Sequence, residues 1–600
     1  MSENTLPALL YQQRIDSISQ TLARLNKRKI YHGWLRLLIV CAGAGALYFT
    51  APNPLWVNVL LVACTGLVFL IILKKDLSNR DSISHHEHLL EINKQEVLYQ
   101  NHQFAHQKDG SAFFEDESSY AGDLDIFGRS SVYQYINRTC SQQGNQLLAY
   151  WLLNAADAQE ILARQNAVKE LSQQTIWRQE LYAHSNTSVI SVAGQETIET
   201  WLKKSNTFSQ SKSWQFIRYI IPALSVTSLV CYVFDLLNTP QFLLLLLFFS
   251  IIASAISRKV NPFYRSLSKI TAETNTLFNI IACIENSSFQ DPLLNSLKKH
   301  FQSETKKASE QVAKLNRILN RFDYRLNPIV FIPLNILLLW DLQQILQLEK
   351  WKHTNDQELS HWFDAMARFE ALSSLGTLAF NHPDWCFPVL NTEQPEFTAV
   401  QLGHPLIKPE KSVLNDFSTI GPGKINIVTG SNMAGKSTFL RSVGVNMILA
   451  VMGAPVCATK MTVSPLKVMT SMRIKDNLEE NTSTFYAELK KLKTIIDAVN
   501  CRQPVFILLD EILRGTNSLD RHTGSRALIR QLLHHDATGI VATHDLELAG
   551  MKQEFPEGIH NYYFDAALDG EELYFDYTLK HGVCQNLNAS ILMKKIGIEL

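Results

Sequence analysis

Two kinds of apolar pattern alternate along the chain. Residues 37–50 and 55–73 are apolar runs joined by Ala51-Pro52-Asn53-Pro54, and 219–234 and 242–257 are two more, joined by a turn ending in Pro240. A helix that is apolar all round has no face to turn to water, and the run 55–73 approaches the ~20 residues that cross a bilayer. Two transmembrane helical hairpins are predicted, over 34–73 and 213–258. Elsewhere the apolar positions recur at helical spacing, as in Tyr11, Ile15, Ile18, Leu22 and Leu25, which mark an N-terminal helix over 1–33. A helical linker follows over 74–120. An all-α core is expected in two parts, 121–212 and 259–395, with the second hairpin between them. From 396 to 600, short β-branched runs alternate with helical stretches, the texture of an α/β domain. One further apolar run, 329–339, contains Pro333 and Asn335 and is shorter than a span. It is expected as a buried helix of the soluble body.

Charge gives these hairpins a direction. Lys27, Arg28, Lys29 and Arg36 precede the first and Lys74, Lys75 and Arg80 follow it, while Lys212 and Arg218, then Arg258 and Lys259, flank the second. Neither tip carries a Lys or Arg, so the positive-inside rule turns both tips outward. The expectation is a multi-pass protein of the inner (cytoplasmic) membrane, with four crossings and with the core and α/β domain on the cytoplasmic side. With 56 basic and 56 acidic residues, the chain as a whole is no polyanion binder, and any nucleic-acid surface must be local. Lys314, Arg317, Arg321 and Arg325 recur on one helical face, as a phosphate-contacting stripe or as a solvated face. Nine scattered cysteines with no C-x-x-C pair read as reduced thiols rather than a zinc or redox site. No secretory signal opens the chain.

The chemistry centres on 425–438, INIVTGSNMAGKST. It fits G-x-x-x-x-G-K-[ST], a loop between a buried strand and a helix whose N–H groups and dipole favour phosphate. The residues Gly430, Ser431, Asn432, Met433, Ala434, Gly435, Lys436, Ser437 and Thr438 are the candidate ATP-binding set. Lys436 would reach the β and γ phosphates, and the Ser437 hydroxyl would bind Mg2+. Downstream, PVFILLD is an apolar strand ending at Asp510, followed at once by Glu511. Asp510 is the second candidate for the Mg2+ shell and Glu511 the candidate for orienting or deprotonating the attacking water. A third strand ends in His544, a candidate sensor of the γ phosphate. The class these residues predict is a Mg2+-dependent ATPase.

Five blocks then resemble the ATPase domain of the MutS mismatch-repair family: Gly403-His404-Pro405-Leu406, TGSNMAGKSTFLRSVG, STFYAEL at 483–489, LLDEILRGTNSLD at 508–520 and ATHDLELA at 542–549. The closing FDYTLKHGVCQNLNASILMKKIGI is similar to the end of that domain. INRTCSQQGNQLLAYWLLN, RQNAVKEL and RFEALSSLGTLAF resemble the family's helical core. The resemblance implies a composite site in a homodimer. It gives Ser483 and Thr484 a reach to the neighbouring subunit's γ phosphate, and it sets Asn517 and Ser518 near the dimer seam. Phe113-Phe114-Glu115 fits the Phe-x-Glu wedge of the family's mismatch readers, but the stretch around it is too short for their wedge domain, and the match reads as accidental. Ser431 and Ala434 stand where the family usually has proline and glycine. No dimerisation helix pair or nuclease is expected after the ATPase domain.

Two functions remain open on sequence. One is a membrane-anchored MutS-like ATPase whose cycle drives a dimeric helical clamp, with DNA, mismatched or branched, as the family-implied ligand. The other is a membrane-bound ATP-driven switch acting on a protein or envelope partner. A transporter ATPase would want a Gly-rich signature helix where this chain has STFYAEL.

Overall fold

The computed structural model describes residues 5–52, 55–114, 120–204, 206, 208–267, 270–302, 306–356, 358–431, 433–472, 484–569 and 572–584. It opens with two 46-residue helices, Thr5–Thr50 and Leu55–Gln100, packed along one another. At ~1.5 Å per residue each is roughly 70 Å long, over twice the ~30 Å of a bilayer's hydrocarbon core. Their apolar halves are bare, with Leu38, Leu60, Leu67 and Leu70 all exposed. Their polar halves are anchored. Ile18 and Leu22 from the first, and Ile83, Leu89 and Ile92 from the second, form a small core with Ala183 of the Thr175–Ser185 helix. At the border between the halves Asp76 is fully buried, and its carboxylate pairs with Arg36 and Arg80 at 3.2 Å each. Further along, the Tyr11 hydroxyl donates to Asn381 at 2.8 Å and Arg138 pairs with Glu96 at 2.5 Å, both buried.

The helices Lys212–Val233 and Thr239–Leu267 form the second apolar hairpin, with Tyr232 and Phe242 stacked near its tip at 4.4 Å. Among the described residues four helices, two per hairpin, are long and apolar enough to cross a membrane.

The expectation for 329–339 needs correction. The helix Pro328–Leu338 is not buried in the soluble body: of its residues only Asn335 is buried, and Ile329 is 86% exposed. It lies against both helices of the second hairpin and breaks by 79° into the helix Trp340–Asn355, with Leu339 in the left-handed region at φ 47°. The reason is its composition. Eleven residues reach only ~16 Å, and with no polar face the helix can shelter only beside other apolar helices. Arg325 before it and Asp341 after it are ion-paired, Nε to Oδ1 at 2.7 Å, so the residues that flank the segment meet. Asp341 is fully buried and also accepts from the Ser257 hydroxyl at 2.5 Å, and Asn335 donates to that hydroxyl at 2.9 Å. Of the basic stripe, Lys314, Arg317 and Arg321 are exposed on the helix Ala308–Phe322, and Arg325 leaves it for Asp341.

One continuous apolar core joins the helical body to the α/β region. A Cβ on Gly444, in the helix Lys436–Val451, would come within 2.8 Å of Leu124 and 2.9 Å of Leu508. Asp123, 1% exposed, stitches the same junction, accepting from Thr470 Oγ1 at 2.7 Å, Met472 N at 3.1 Å and Lys491 Nζ at 3.2 Å. Phe113 packs on Phe127 and Tyr133, and Phe114 against the same core, so neither ring is free to act as a wedge. Glu115 lies outside the described residues.

The described strands form two sheets. In the smaller, β1 (Val389–Leu390), β2 (Glu396–Leu402), β3 (Asn415–Ile420) and β5 (Lys460–Val463) take the order β1-β5-β2-β3. The larger holds β4 (Ile425–Thr429), β6 (Lys467–Ser471), β7 (Val505–Asp510), β8 (Thr538–Thr543), β9 (Ile559–Asp569) and β10 (Glu572–His581) in the order β10-β9-β4-β8-β7-β6. All its pairings are parallel except β9 with β10. β4 and β8 are buried throughout, as expected of strands covered on both faces. Such sheets bind ligands beyond the carboxyl ends of their strands, and β4, β7 and β8 end side by side.

Asp341→Asn leaves Arg325 buried without a counter-charge. Loss of one partner of a buried pair costs about 3–5 kcal/mol, and thermal unfolding in detergent is expected to show a clear drop in Tm. An unchanged Tm would mean the pair is solvated.

Candidate nucleotide site

Three strand ends deliver the chemistry. In register, Thr429 of β4 faces Thr543 of β8, and Ala542 of β8 faces Asp510 of β7. The next residues along the three strands, Gly430, His544 and Glu511, therefore cluster. Gly430 takes φ 151° and Gly435 φ 106°. A Cβ on Gly430 would sit 2.8 Å from the Phe564 carbonyl oxygen and one on Gly435 3.1 Å from the Tyr577 ring. Both positions need glycine for the backbone angle and for close approach. The helix Lys436–Val451 starts directly after Gly435, so its unpaired N–H groups face the loop. Met433 is left-handed at φ 69° and 80% exposed, and Ala434 is buried. Asn432 lies outside the described residues.

Lys436 is buried, and its ammonium donates to the carbonyls of Gly430 at 2.8 Å and Ser431 at 2.9 Å. His544 Nδ1 lies 2.9 Å from the Gly430 carbonyl and 3.4 Å from Lys436 Nζ. Burial lowers the Lys436 pKa, against the opposing charges of Glu511 and Asp510. The other His544 nitrogen stands against Glu511, whose second oxygen pairs with Arg514. Burial pushes the Glu511 carboxyl up, but the hydrogen bond from His544 and the charges of His544, Arg514 and Lys436 outweigh it and hold the acid below its ordinary value. Glu511 is therefore ionised at neutral pH. Its φ of 52° is unusual for a side-chain-bearing residue and its N–H is fixed on Ala542 O at 2.9 Å, an example of backbone strain held at a site by its surroundings.

Ser437 stands beside Asp510, whose pKa is raised chiefly by burial, with the Ser437 hydroxyl acting in the opposite direction. Asp510 Oδ1 is buried with no hydrogen-bond partner among the described residues. A hydroxyl beside a carboxylate with an unused, buried oxygen is a hard-oxygen donor set, and it fits Mg2+.

The sequence reading passed over two groups. Glu488, in the helix Thr484–Asn500, is 2% exposed and accepts from the Leu513 N–H, which ties that helix to the loop after β7. With Ser471, Asp510, Glu511 and Arg514 it lines a cavity of about 250 Å³. Its signal was an acid one helical turn after Thr484, inside a block already singled out. Arg514, the partner of Glu511, lay inside another. Of the residues assigned to the dimer seam, Asn517 caps the helix Ser518–His534 by accepting from Asp520 N at 2.9 Å, and it and Ser518 are exposed. Ser483 and the side chain of Thr484 lie outside the described residues.

With this geometry in hand, the comparisons define the class. Residues 426–595 match the family model MutS domain V, an ATPase domain. Over 227 residues the chain is 31% identical to the DNA mismatch repair protein MutS of Natronomonas pharaonis, a stretch that covers 37% of this chain and 26% of that protein. The chain thus spans about a quarter of the length of the curated relative it matches. Residues 426–595 of its α/β region thus match a MutS-type ATPase domain, and over the 227-residue stretch the chain is similar to a MutS protein.

Gly430→Ala places a methyl group against the Phe564 carbonyl in a backbone conformation that alanine resists. Nucleotide affinity is expected to fall at least ~10-fold, the equivalent of about 1.4 kcal/mol, with the circular dichroism spectrum unchanged. Wild-type affinity in isothermal titration would remove Gly430 from the cradle.

Proposed function

We propose that this protein is a membrane-anchored, MutS-like ATPase whose nucleotide state is passed to a helical body held at the bilayer. The observation that carries the reading is the convergence of Lys436, Ser437, Asp510, Glu511 and His544 at three adjacent strand ends. ATP would lie along residues 430–438, with Lys436 exchanging its two carbonyl acceptors for phosphate oxygens. Ser437 and Asp510 would hold Mg2+, which when bound offsets charge on the β and γ phosphates. Glu511, kept ionised by its cationic neighbours, accepts the proton of the attacking water or orients it. His544 lies between Lys436 and Glu511, where a γ phosphate would displace it from the Gly430 carbonyl. Family resemblance adds a homodimer, with Ser483, Thr484, Asn517 and Ser518 serving the partner's site.

The route from site to body runs through Asp123, which bonds both the end of β6 and the helix that carries Glu488. In the membrane reading the apolar helices span as two hairpins with their tips outward. The segment Pro328–Leu338 dips into the cytoplasmic leaflet and returns, because its entry and exit are paired through Arg325 and Asp341. It makes no fifth crossing, and the nucleotide site stays with cytoplasmic ATP.

DNA is the ligand suggested by the relative's name. One observation favours the second reading, a switch acting on a protein or envelope partner: the half-buried Phe113 and Phe114 pack against the core, leaving no wedge at that motif.

Lys436→Ala is expected to abolish ATP binding, whereas Glu511→Ala should bind ATP normally and hydrolyse it orders of magnitude more slowly. Normal affinity in the first or unchanged turnover in the second would move the site. ATPase activity of the detergent-solubilised protein is expected to respond to duplex or branched DNA, with a steep loss of the response as salt rises. Turnover indifferent to every DNA at low salt would select the partner-switch reading.

A further inference from the structure

We propose that His85, Glu180 and His184 form a binding site for one divalent transition-metal ion of the zinc class, which fastens the long N-terminal helix pair to the helical body. His85 comes from the helix Leu55–Gln100, just beyond its apolar half. Glu180 and His184 are one turn apart on the helix Thr175–Ser185 and share a face. One ligand atom from each residue lies within 4.8 Å of the other two. His85 Nε2 is 2.8 Å from Glu180 Oε2, and the two imidazole rings stack with centroids 4.9 Å apart. Two imidazoles and a carboxylate are a three-ligand set that zinc accepts at ~2.0–2.2 Å per bond, with a fourth position left for water. Drawing three atoms already this close onto one ion needs only side-chain adjustment.

A path in also exists: Glu180 and His184 line a cavity of about 860 Å³, open enough to admit a hydrated ion and to keep a water on it. Cys283 lines the same cavity but does not belong to the three-residue cluster, which leaves the fourth position to water. A plain structural contact would need only His85 and Glu180. His184, one turn on and stacked beside His85, is what completes a ligand set. The site adjoins the small core of Ile18, Leu22, Ile83, Leu89 and Ile92 on Ala183, so the ion would reinforce a junction that otherwise rests on few apolar residues.

The test uses the full chain in detergent, stripped with a chelator and titrated with Zn2+ in competition with a chromophoric chelator, without nucleotide. One equivalent is expected to bind. His85→Gln and His184→Gln should each weaken it by more than the ~10–100-fold that loss of an outer partner costs. His522→Gln, in the cluster with Asp545 and Glu547 beside the nucleotide site, should leave it intact. Bound Co2+ is expected to give visible d–d absorption in the wild type that both His85→Gln and His184→Gln lose. The proposal is overturned if the stripped wild type takes up no Zn2+, if binding is lost in His522→Gln instead, or if folded His85→Gln and His184→Gln bind as the wild type does.

Discussion

The chemistry of this protein depends on the register of three parallel strands. β4 pairs with β8 and β8 with β7 so that Thr429 and Thr543 finish level and Asp510 within one residue of them, and the residues that follow have nowhere to go but toward one another. A slip of one residue would turn every side chain of the slipped strand to the other face. The register is protected by burial: β4 and β8 are covered on both sides, and a Cβ on Gly539 would collide with the Ile507 carbonyl oxygen. That contact is closer than any side chain tolerates. The loop, the carboxylate pair and the histidine are thus consequences of how the sheet closes.

The same sheet shares its apolar interior with the helical body. The consequence is mechanical as well as energetic. Interiors packed at crystal density deform little and shift between discrete arrangements. With Asp123 buried between β6 and the helix that holds Glu488, a rearrangement at the loop after β7 has a short, fully bonded route into the helices around it.

Much of this was legible in the sequence, and the reasons differ by region. The loop 430–438, Asp510, Glu511 and His544 could be read because phosphate chemistry restricts residue types at fixed spacing, and the α/β texture followed from strand composition. The four apolar helices were legible because no charged residue interrupts their apolar runs. Glu488 and Arg514 were not read as functional, since a single acid or base in a helix or loop carries no local signal and its role comes from a contact across the fold. The segment 329–339 was misread for a related reason. Apolarity tells that a helix must leave water but not what shelters it, and the ion pair of Arg325 with Asp341 that reveals its course joins residues flanking a break. The docking of Thr5–Thr50 on Asn381 through Tyr11 was equally out of reach, being a contact between opposite ends of the helical region.

The two opening helices run unbroken from the apolar end to the docking site on Thr175–Ser185. A flexible tether would let the body wander and would absorb any motion. A pair of stiff rods with no slack does neither: it fixes a standoff distance, and a tilt or twist imposed at one end reappears at the other. The body is therefore held at a set distance from the apolar ends of these helices, like a tool on a rigid handle.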